Sequence, residues 1–359
     1  MNQPQDIRRM IPTVKIVGSR CNLRCRYCYY HGNHRYRIEI MSEGVLGEII
    51  AKTLSFSDLD PVQIVWHGGE PMLAGIGFFE NVMSLEKKLG KGRRFENHIQ
   101  TNATLISKQW ASFFAKNQFK VGISLDGPKS IHDSCRVYKN GRGSFKDVMC
   151  GLDRLHNVGL APGAIALITK SSLGHPTEIF NFFVSAGVKR FLPKPCYELS
   201  AKGEPTESSI SSEEFSEFML EILDAWLEKD DPSISIRNLE QMMVGVAGGN
   251  PSLCELSGKC WLCPKVEYDG SVTPCDSMSL HSYRFGNITE NTWDEIFQGK
   301  EFLRYLSELK ESESPCRGCE WLKSCHNRCT RYCSNGGLNV FCNAKKAIFS
   351  KLQGIIETT

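Results

Sequence analysis

Through its N-terminal half the chain alternates short apolar runs with longer segments whose apolar side chains return every three or four positions. The short runs read as strands buried on both faces, and the longer segments read as helices with one apolar stripe. Strands are predicted at residues 13–18, 62–66, 98–102, 162–169 and 188–193, with a strand and its following loop at 120–128. Helices are predicted at residues 41–54, 78–89, 108–116, 145–158 and 176–186, the first with Ser42 and Glu43 near its start as a cap. Such alternation predicts an α/β fold around a parallel sheet, here a partial (β/α)6 TIM barrel over residues 10–230. Polar motifs fall repeatedly where strands end, the edge at which parallel barrels collect their chemistry.

The pattern changes after Pro195. Residues 198–212 are rich in Ser, Glu, Pro and Gly and read as a linker or flexible loop. An amphipathic helix follows at residues 213–227, with Phe215, Phe218, Met219, Ile222 and Trp226 on a face that belongs to a core. Residues 231–345 read as a second, cysteine-rich domain and residues 346–359 as a C-terminal helix. A chain of 359 residues exceeds the usual size of a single core, which agrees with a large and a smaller unit.

Composition narrows the function. A net charge of +3 is too weak to call for a polyanionic partner, so no nucleic acid is expected. No stretch of about 18 apolar residues marks a membrane span and no apolar run near Met1 marks a signal peptide, so a cytoplasmic location without a membrane partner is expected. Sixteen cysteines in such a chain point to metal ligation rather than disulfides, because cytosolic thiols stay reduced.

Three of them, Cys21, Cys25 and Cys28, form a C-x3-C-x2-C loop after the first strand. Thiolates are the ligands that iron–sulfur clusters require, and these short arcs bring three to one side, leaving one iron of a four-iron cluster open. A structural zinc loop is the alternative, although zinc sites usually pair short knuckles symmetrically. One strand later, Gly68-Gly69-Glu70-Pro71 combines two residues without side chains, which let backbone carbonyls approach a ligand, with a carboxylate. A plain turn is the other reading of that tetrapeptide.

The cysteine loop resembles the signature of radical S-adenosylmethionine (SAM) enzymes. In that family the open iron binds the amino and carboxylate groups of SAM, and an electron from the cluster breaks the sulfonium to give a 5′-deoxyadenosyl radical. The resemblance implies that Gly68, Gly69 and Glu70 serve the SAM amino group, that Ser124 and Arg136 hold its ribose and carboxylate, and that Tyr27 lies near the adenine. Gln100 and Asn102 face the same edge as further contacts. An arginine fork suits a carboxylate, and Arg142 is a rival to Arg136 for that role. Tyr27 also reads as a packing aromatic and Arg136 as a surface residue.

The remaining cysteines resemble the SPASM extension of the same family: Cys260, then Gly270 and Cys275, then Cys316-x2-Cys319-x5-Cys325-x3-Cys329, then Cys342, with Cys254 upstream. The resemblance implies two auxiliary iron–sulfur clusters, one on Cys254, Cys260, Cys275 and Cys329, the other on Cys316, Cys319, Cys325 and Cys342. A pair of structural zincs is the alternative, and Cys263 or Cys333 can replace an assigned ligand. Metal binding there would also supply folding energy to a domain whose own core is thin.

Within this group the chain resembles anaerobic sulfatase-maturating enzymes along nearly its whole length, at residues 28–31, 73–75, 100–106 and 269–276. Those enzymes oxidise a Cys or Ser side chain of a sulfatase to formylglycine. Asp276 holds the place of their general base, and Tyr30 that of a tyrosine near their substrate. A carboxylate is suitable because a radical left at Cβ must shed a proton and an electron, and nearby clusters can receive the electron. A turn cap beside the cluster is the other reading of Asp276.

His67 is a departure. The sulfatase enzymes carry Gln before Gly-Gly-Glu-Pro, whereas Trp66-His67-Gly68-Gly69-Glu70-Pro71 looks more like maturases that modify or crosslink ribosomal peptides. His67 can contact substrate, move protons or pack. Asn102-Ala103 in place of Asn-Gly is a smaller deviation. With the barrel beginning about 15 residues from Met1, no room is expected for the leader-binding domain of many peptide maturases, so recognition falls to the barrel mouth or to a separate partner.

The leading expectation is a radical SAM oxidoreductase that takes hydrogen from Cβ of a ribosomal peptide and completes a two-electron oxidation or crosslink. Formylglycine formation in a sulfatase is the alternative, and dehydrogenation or epimerisation of a small molecule such as an aminocyclitol is a further one. Expected cofactors are SAM and three [4Fe–4S] clusters; expected partners are a peptide or protein substrate and a reductant such as flavodoxin or ferredoxin. A plain iron–sulfur electron carrier would need neither the open iron nor the glycine loop, and a zinc-dependent interaction module would hold zinc without iron.

Overall fold

The computed structural model describes residues 4, 6–30, 39–200, 202–275, 283–311, 314–327, 329–333 and 337–358. Its framework is a run of strands and helices: β1 (Thr13–Lys15), α1 (Glu43–Phe56), β2 (Val62–His67), α2 (Ile76–Gly90), β3 (Phe95–Thr101), α3 (Lys108–Lys116) and β4 (Lys120–Ser124). It continues through α4 (Lys129–Cys135), α5 (Phe145–His156), β5 (Gly163–Ile168), α6 (Pro176–Ser185), β6 (Arg190–Pro195) and α7 (Ser212–Lys229). Strands β1 to β6 lie side by side, parallel and in chain order. This open parallel arrangement is the partial barrel expected from the alternation of short and periodic apolar segments.

Local chemistry accounts for the boundaries. Ser42 caps α1 by accepting from the Val45 backbone N–H at 3.4 Å, and Ser211 and Glu214 form a reciprocal capping box on α7. Strand β1 is shorter than expected: Ile16 N still donates to His67 O at 3.1 Å, but Gly18, at φ +54°, turns the chain into the cysteine loop. Helix α4 occupies a stretch where the sequence predicts no helix; Pro128 precedes its first residue, and it is under two turns long. Between sheet and helices lies an aromatic core that includes Trp66, Phe79, Trp110, Phe114 and Phe119. Each such side chain contributes about 1.5–3 kcal/mol by leaving water.

The sheet continues beyond the barrel. Strand β7 (Ser235–Ile236) pairs parallel with β6, and α8 (Arg237–Val246) follows it. At the opposite edge β8 (Lys265–Val266) pairs parallel with β1, then β9 (Ser271–Thr273) and β10 (Gly286–Asn287) add antiparallel, completing ten strands among the described residues. The C-terminal helix, Cys342–Thr358, packs on α7 and α8, and Phe341 meets Phe215 edge to face at 5.5 Å. The cysteine-rich region is thereby built onto both edges of the sheet. Among the described residues no helix is long and apolar enough to cross a membrane.

Candidate functional site

The carboxyl ends of β1, β2, β3 and β4 carry the predicted residues to one edge. The cysteine loop and the glycine loop are zipped together by backbone bonds from Gly69 N to Gly18 O and from Glu70 N to Arg20 O, both 2.8 Å. Gly68 sits at φ +136°, and a Cβ on Gly69 would lie 2.1 Å from Arg20 O. Glycine is therefore required where the backbones touch. Glu70 is fully buried and accepts from Met72 N (3.1 Å), Thr101 Oγ1 (2.7 Å) and Asn102 N (2.8 Å). Burial pushes its carboxyl up to about 7, against the pull of these donors. The carboxylate thus ties the ends of β2 and β3 together, and the backbone of Gly68 and Gly69 is what remains to meet a ligand.

Asn102 also reaches the cysteine loop. Its Nδ2 donates to Asn22 Oδ1 at 2.9 Å and approaches Cys21 Sγ at 3.7 Å, while Asn22 Nδ2 donates to Thr104 Oγ1 at 2.8 Å. Gln100 Nε2 donates to Ser124 Oγ at 3.1 Å, across a gap left by Gly122, where a Cβ would lie 2.3 Å from Gln100 Oε1. The two predicted polar contacts on β3 and β4 are therefore one coupled pair.

Tyr27 and Arg136 are joined by a residue that nothing in the sequence marks. Buried Asp126 accepts from Tyr27 Oη (2.6 Å), Arg136 Nε (2.9 Å) and Leu167 N (3.1 Å). The guanidinium lies 5.4 Å from the Tyr27 ring centre. Burial opposes the Arg136 charge, but Asp126, with Tyr27 and Cys25 beside it, outweighs that cost and holds the arginine above its usual value. Burial and the neighbouring carboxylate keep Tyr27 protonated, as its role of donor requires. Arg142 lies elsewhere, exposed and paired with Asp147.

A second group missed from the sequence centres on Lys15. It is fully buried, with Nζ 3.1 Å from Tyr29 Oη and 3.0 Å from His67 Nδ1. The ammonium also lies 5.6 Å from the ring centre of Tyr30, which packs against Tyr29 at 4.4 Å. Two donors, the Lys15 ammonium and Gly68 N at 2.8 Å, face His67 Nδ1 against one acceptor, Gly68 O at 3.1 Å, a balance that favours Nδ1 as acceptor and the ring proton on Nε2. His67 and Tyr30 are thus brought together through a lysine whose place in a short strand resembles any alternating polar position. Asp276 lies outside the described residues.

Burial pushes Cys21 up to about 11 and Cys25 up to about 12, and raises Cys28, so these groups favour the thiol until a metal charge is present. Cys260 is close enough to Cys254, Cys275 and Cys329 to feel their charges, and Cys263 joins that set beside Cys254 and Cys275. Cys316, Cys319, Cys325 and Cys342 line one cavity together with Lys345. Cys333 turns its Sγ to Cys329 O at 3.2 Å, which leaves it a neighbour rather than a member of that lining. Among the described residues no three His, Cys, Asp or Glu side chains converge tightly enough to hold a single metal ion.

Residues 15–182 match the Radical SAM superfamily, and residues 257–320 match an iron–sulfur cluster-binding domain, SPASM. Over 353 residues the chain is 31% identical to the cysteine-type anaerobic sulfatase-maturating enzyme of Clostridium novyi, covering 94% of each. It belongs to the anaerobic sulfatase-maturating enzyme family. The serine-type enzyme of Bacteroides thetaiotaomicron is 30% identical over 89% of this chain and 82% of its own length. Native anSMEcpe, solved with bound AdoMet and the Cp18Cys peptide, superposes with a TM-score of 0.86 at 28% identity over 97% of this chain and 99% of that one. A sulfatase-maturating family member is a radical SAM enzyme, so SAM, a [4Fe–4S] cluster and auxiliary iron–sulfur clusters are its cofactors. The donor set fits them: three half-buried thiols at the SAM edge, and four more lining one cavity.

Proposed function

We propose that the chain oxidises a Cys or Ser side chain within a peptide segment to formylglycine. The end-to-end similarity to both cysteine- and serine-type maturases carries this reading, and it moves formylglycine ahead of the ribosomal-peptide crosslink that the sequence placed first. In this reading Cys21, Cys25 and Cys28 hold the cluster that SAM occupies. The Gly68–Gly69 backbone and the Gln100–Ser124 pair line the SAM site, and Arg136 is aimed there by Asp126. The auxiliary clusters sit on Cys254, Cys260, Cys275 and Cys329 and on Cys316, Cys319, Cys325 and Cys342. Bound SAM supplies hydrogen-atom abstraction from the substrate carbon. The chain's own residues orient the peptide, keep water from the site and remove one proton, for which Asp276 is the base we assign. A flavodoxin or ferredoxin in the cytoplasm is the reductant this chemistry calls for.

His67 favours a second reading, since it replaces the family's glutamine and is held by Lys15. Anaerobic incubation of the reconstituted enzyme with SAM, dithionite and a sulfatase-type peptide carrying Cys or Ser separates the two. An aldehyde trapped by a hydrazide is the expected product. Loss of two hydrogens with no trappable aldehyde would instead select crosslinking.

Lys15→Met keeps the length of the side chain and removes its charge. A hydrogen bond to a charged group is worth about 1.5–3 kcal/mol, so peptide oxidation is expected to fall about tenfold to a hundredfold. Iron content and SAM cleavage without peptide should stay at wild-type levels, which distinguishes a role in positioning His67 and Tyr29 from a role in folding. Unchanged peptide oxidation would remove Lys15 from the site.

A further inference from the structure

Two buried donors on the C-terminal side, Lys345 Nζ and Asn339 Nδ2, lack a hydrogen-bond acceptor among the described residues. Unsatisfied buried groups of this kind cost roughly 1–3 kcal/mol each and call for a missing partner. The orientation of the Asn339 amide follows from its bonds, because its Oδ1 accepts from Phe341 N at 2.9 Å and Nδ2 is therefore the free end. Both side chains line the cavity walled by Cys316, Cys319, Cys325 and Cys342. Both also line the adjoining cavity that includes Glu255 and Tyr332. The ionisable groups that act on Lys345 include Cys325 of one cysteine set and Cys329 of the other, together with Glu255 and Cys333. The lysine therefore lines the cavity of the first set and lies within electrostatic reach of the second.

We infer that Lys345 and Asn339 donate to the sulfur atoms of the cluster held by Cys316, Cys319, Cys325 and Cys342, and that the Lys345 charge raises its reduction potential. The inference rests on that ligand assignment. A four-thiolate cluster gains negative charge when it takes an electron, and in a buried site that charge is expensive unless a cation or N–H donors face it. An ammonium offers both, with three donors and a full positive charge. Asn339 adds a neutral donor whose direction is set by the backbone. The cluster so served is more readily reduced than it would be without the lysine.

Redox titration of the reconstituted holoenzyme, followed by electron paramagnetic resonance, tests this. In Lys345→Met with full iron and sulfide content, the midpoint potential of one auxiliary signal should move to lower values, while Lys345→Arg keeps it near wild type. Identical midpoints in wild type and Lys345→Met would overturn the inference. If Lys345→Met assembles less iron, the wild-type protein decides the matter. Strongly coupled exchangeable protons at the reduced auxiliary cluster support the donors, and their absence overturns them. Failure of the ligand assignment would look different: Cys319→Ala would retain the full iron complement.

Discussion

Gly69→Ala is expected to leave a folded protein that has lost SAM cleavage. The added methyl carbon would lie 2.1 Å from Arg20 O and 2.5 Å from Arg20 C, atoms that belong to backbone and cannot swing aside. Relief requires the glycine loop and the cysteine loop to part, breaking the 2.8 Å bonds that Gly69 N and Glu70 N make to Gly18 and Arg20. Overpacking of this kind costs about 1–3 kcal/mol, which most domains survive. The functional cost is larger, because Arg20 immediately precedes Cys21 and a displacement of about 1 Å in a reacting group lowers rates on the order of a hundredfold. Formation of 5′-deoxyadenosine by the reduced, iron-loaded variant is the measurement, with thermal melting alongside. A rate within severalfold of wild type at full iron content would show that the two loops need not touch.

Asp126→Ala is expected to produce the largest loss of stability of any single change at the site. The Asp126 side chain is 2% exposed and that of Arg136 is 11% exposed. Removing one member of such a pair leaves the other charge buried alone, a cost of about 3–5 kcal/mol against a total stability of about 5–15 kcal/mol. The same substitution strips Tyr27 of its acceptor and Leu167 N of its partner. Because the dominant cost is the orphaned cation, Asp126→Ala/Arg136→Met should recover part of the loss, giving a clear coupling in a double-mutant cycle of denaturant melts. A single-variant cost below about 1 kcal/mol would mean that water reaches Arg136 and that the pair does not organise the loop.

Much of this site is legible in the chain because its parts are short and chemically distinctive. The cysteine spacing, the glycine pair and the strand-end positions of Gln100, Asn102 and Ser124 can be read without coordinates, since each depends on local sequence. What escapes is cooperation across the barrel. Asp126 sits in a loop where an acid looks like turn chemistry, and nothing nearby announces that residues 27 and 136 converge on it. Lys15 escapes for a related reason: in a strand that reads apolar, polar, apolar, a lysine looks solvent-facing, whereas this one points into the barrel interior and is fully buried. The short strands β7, β8 and β10 contain two residues each, too few to show any period. Helix α4 is hidden by Pro128 and by a run of Ser, His and Asp that suits a loop equally well.

The pairing of β8 with β1 bears on how the polypeptide matures during synthesis. Thr13 and Val14 have neighbours on both sides, Val65 and Trp66 on one and Lys265 and Val266 on the other. The strand that leads into Cys21 therefore keeps an unpaired margin until the ribosome has passed Val266. Bare margins of this kind recruit stray strands. A fragment ending ahead of Lys265 would carry that margin permanently and is expected to aggregate where the full chain does not.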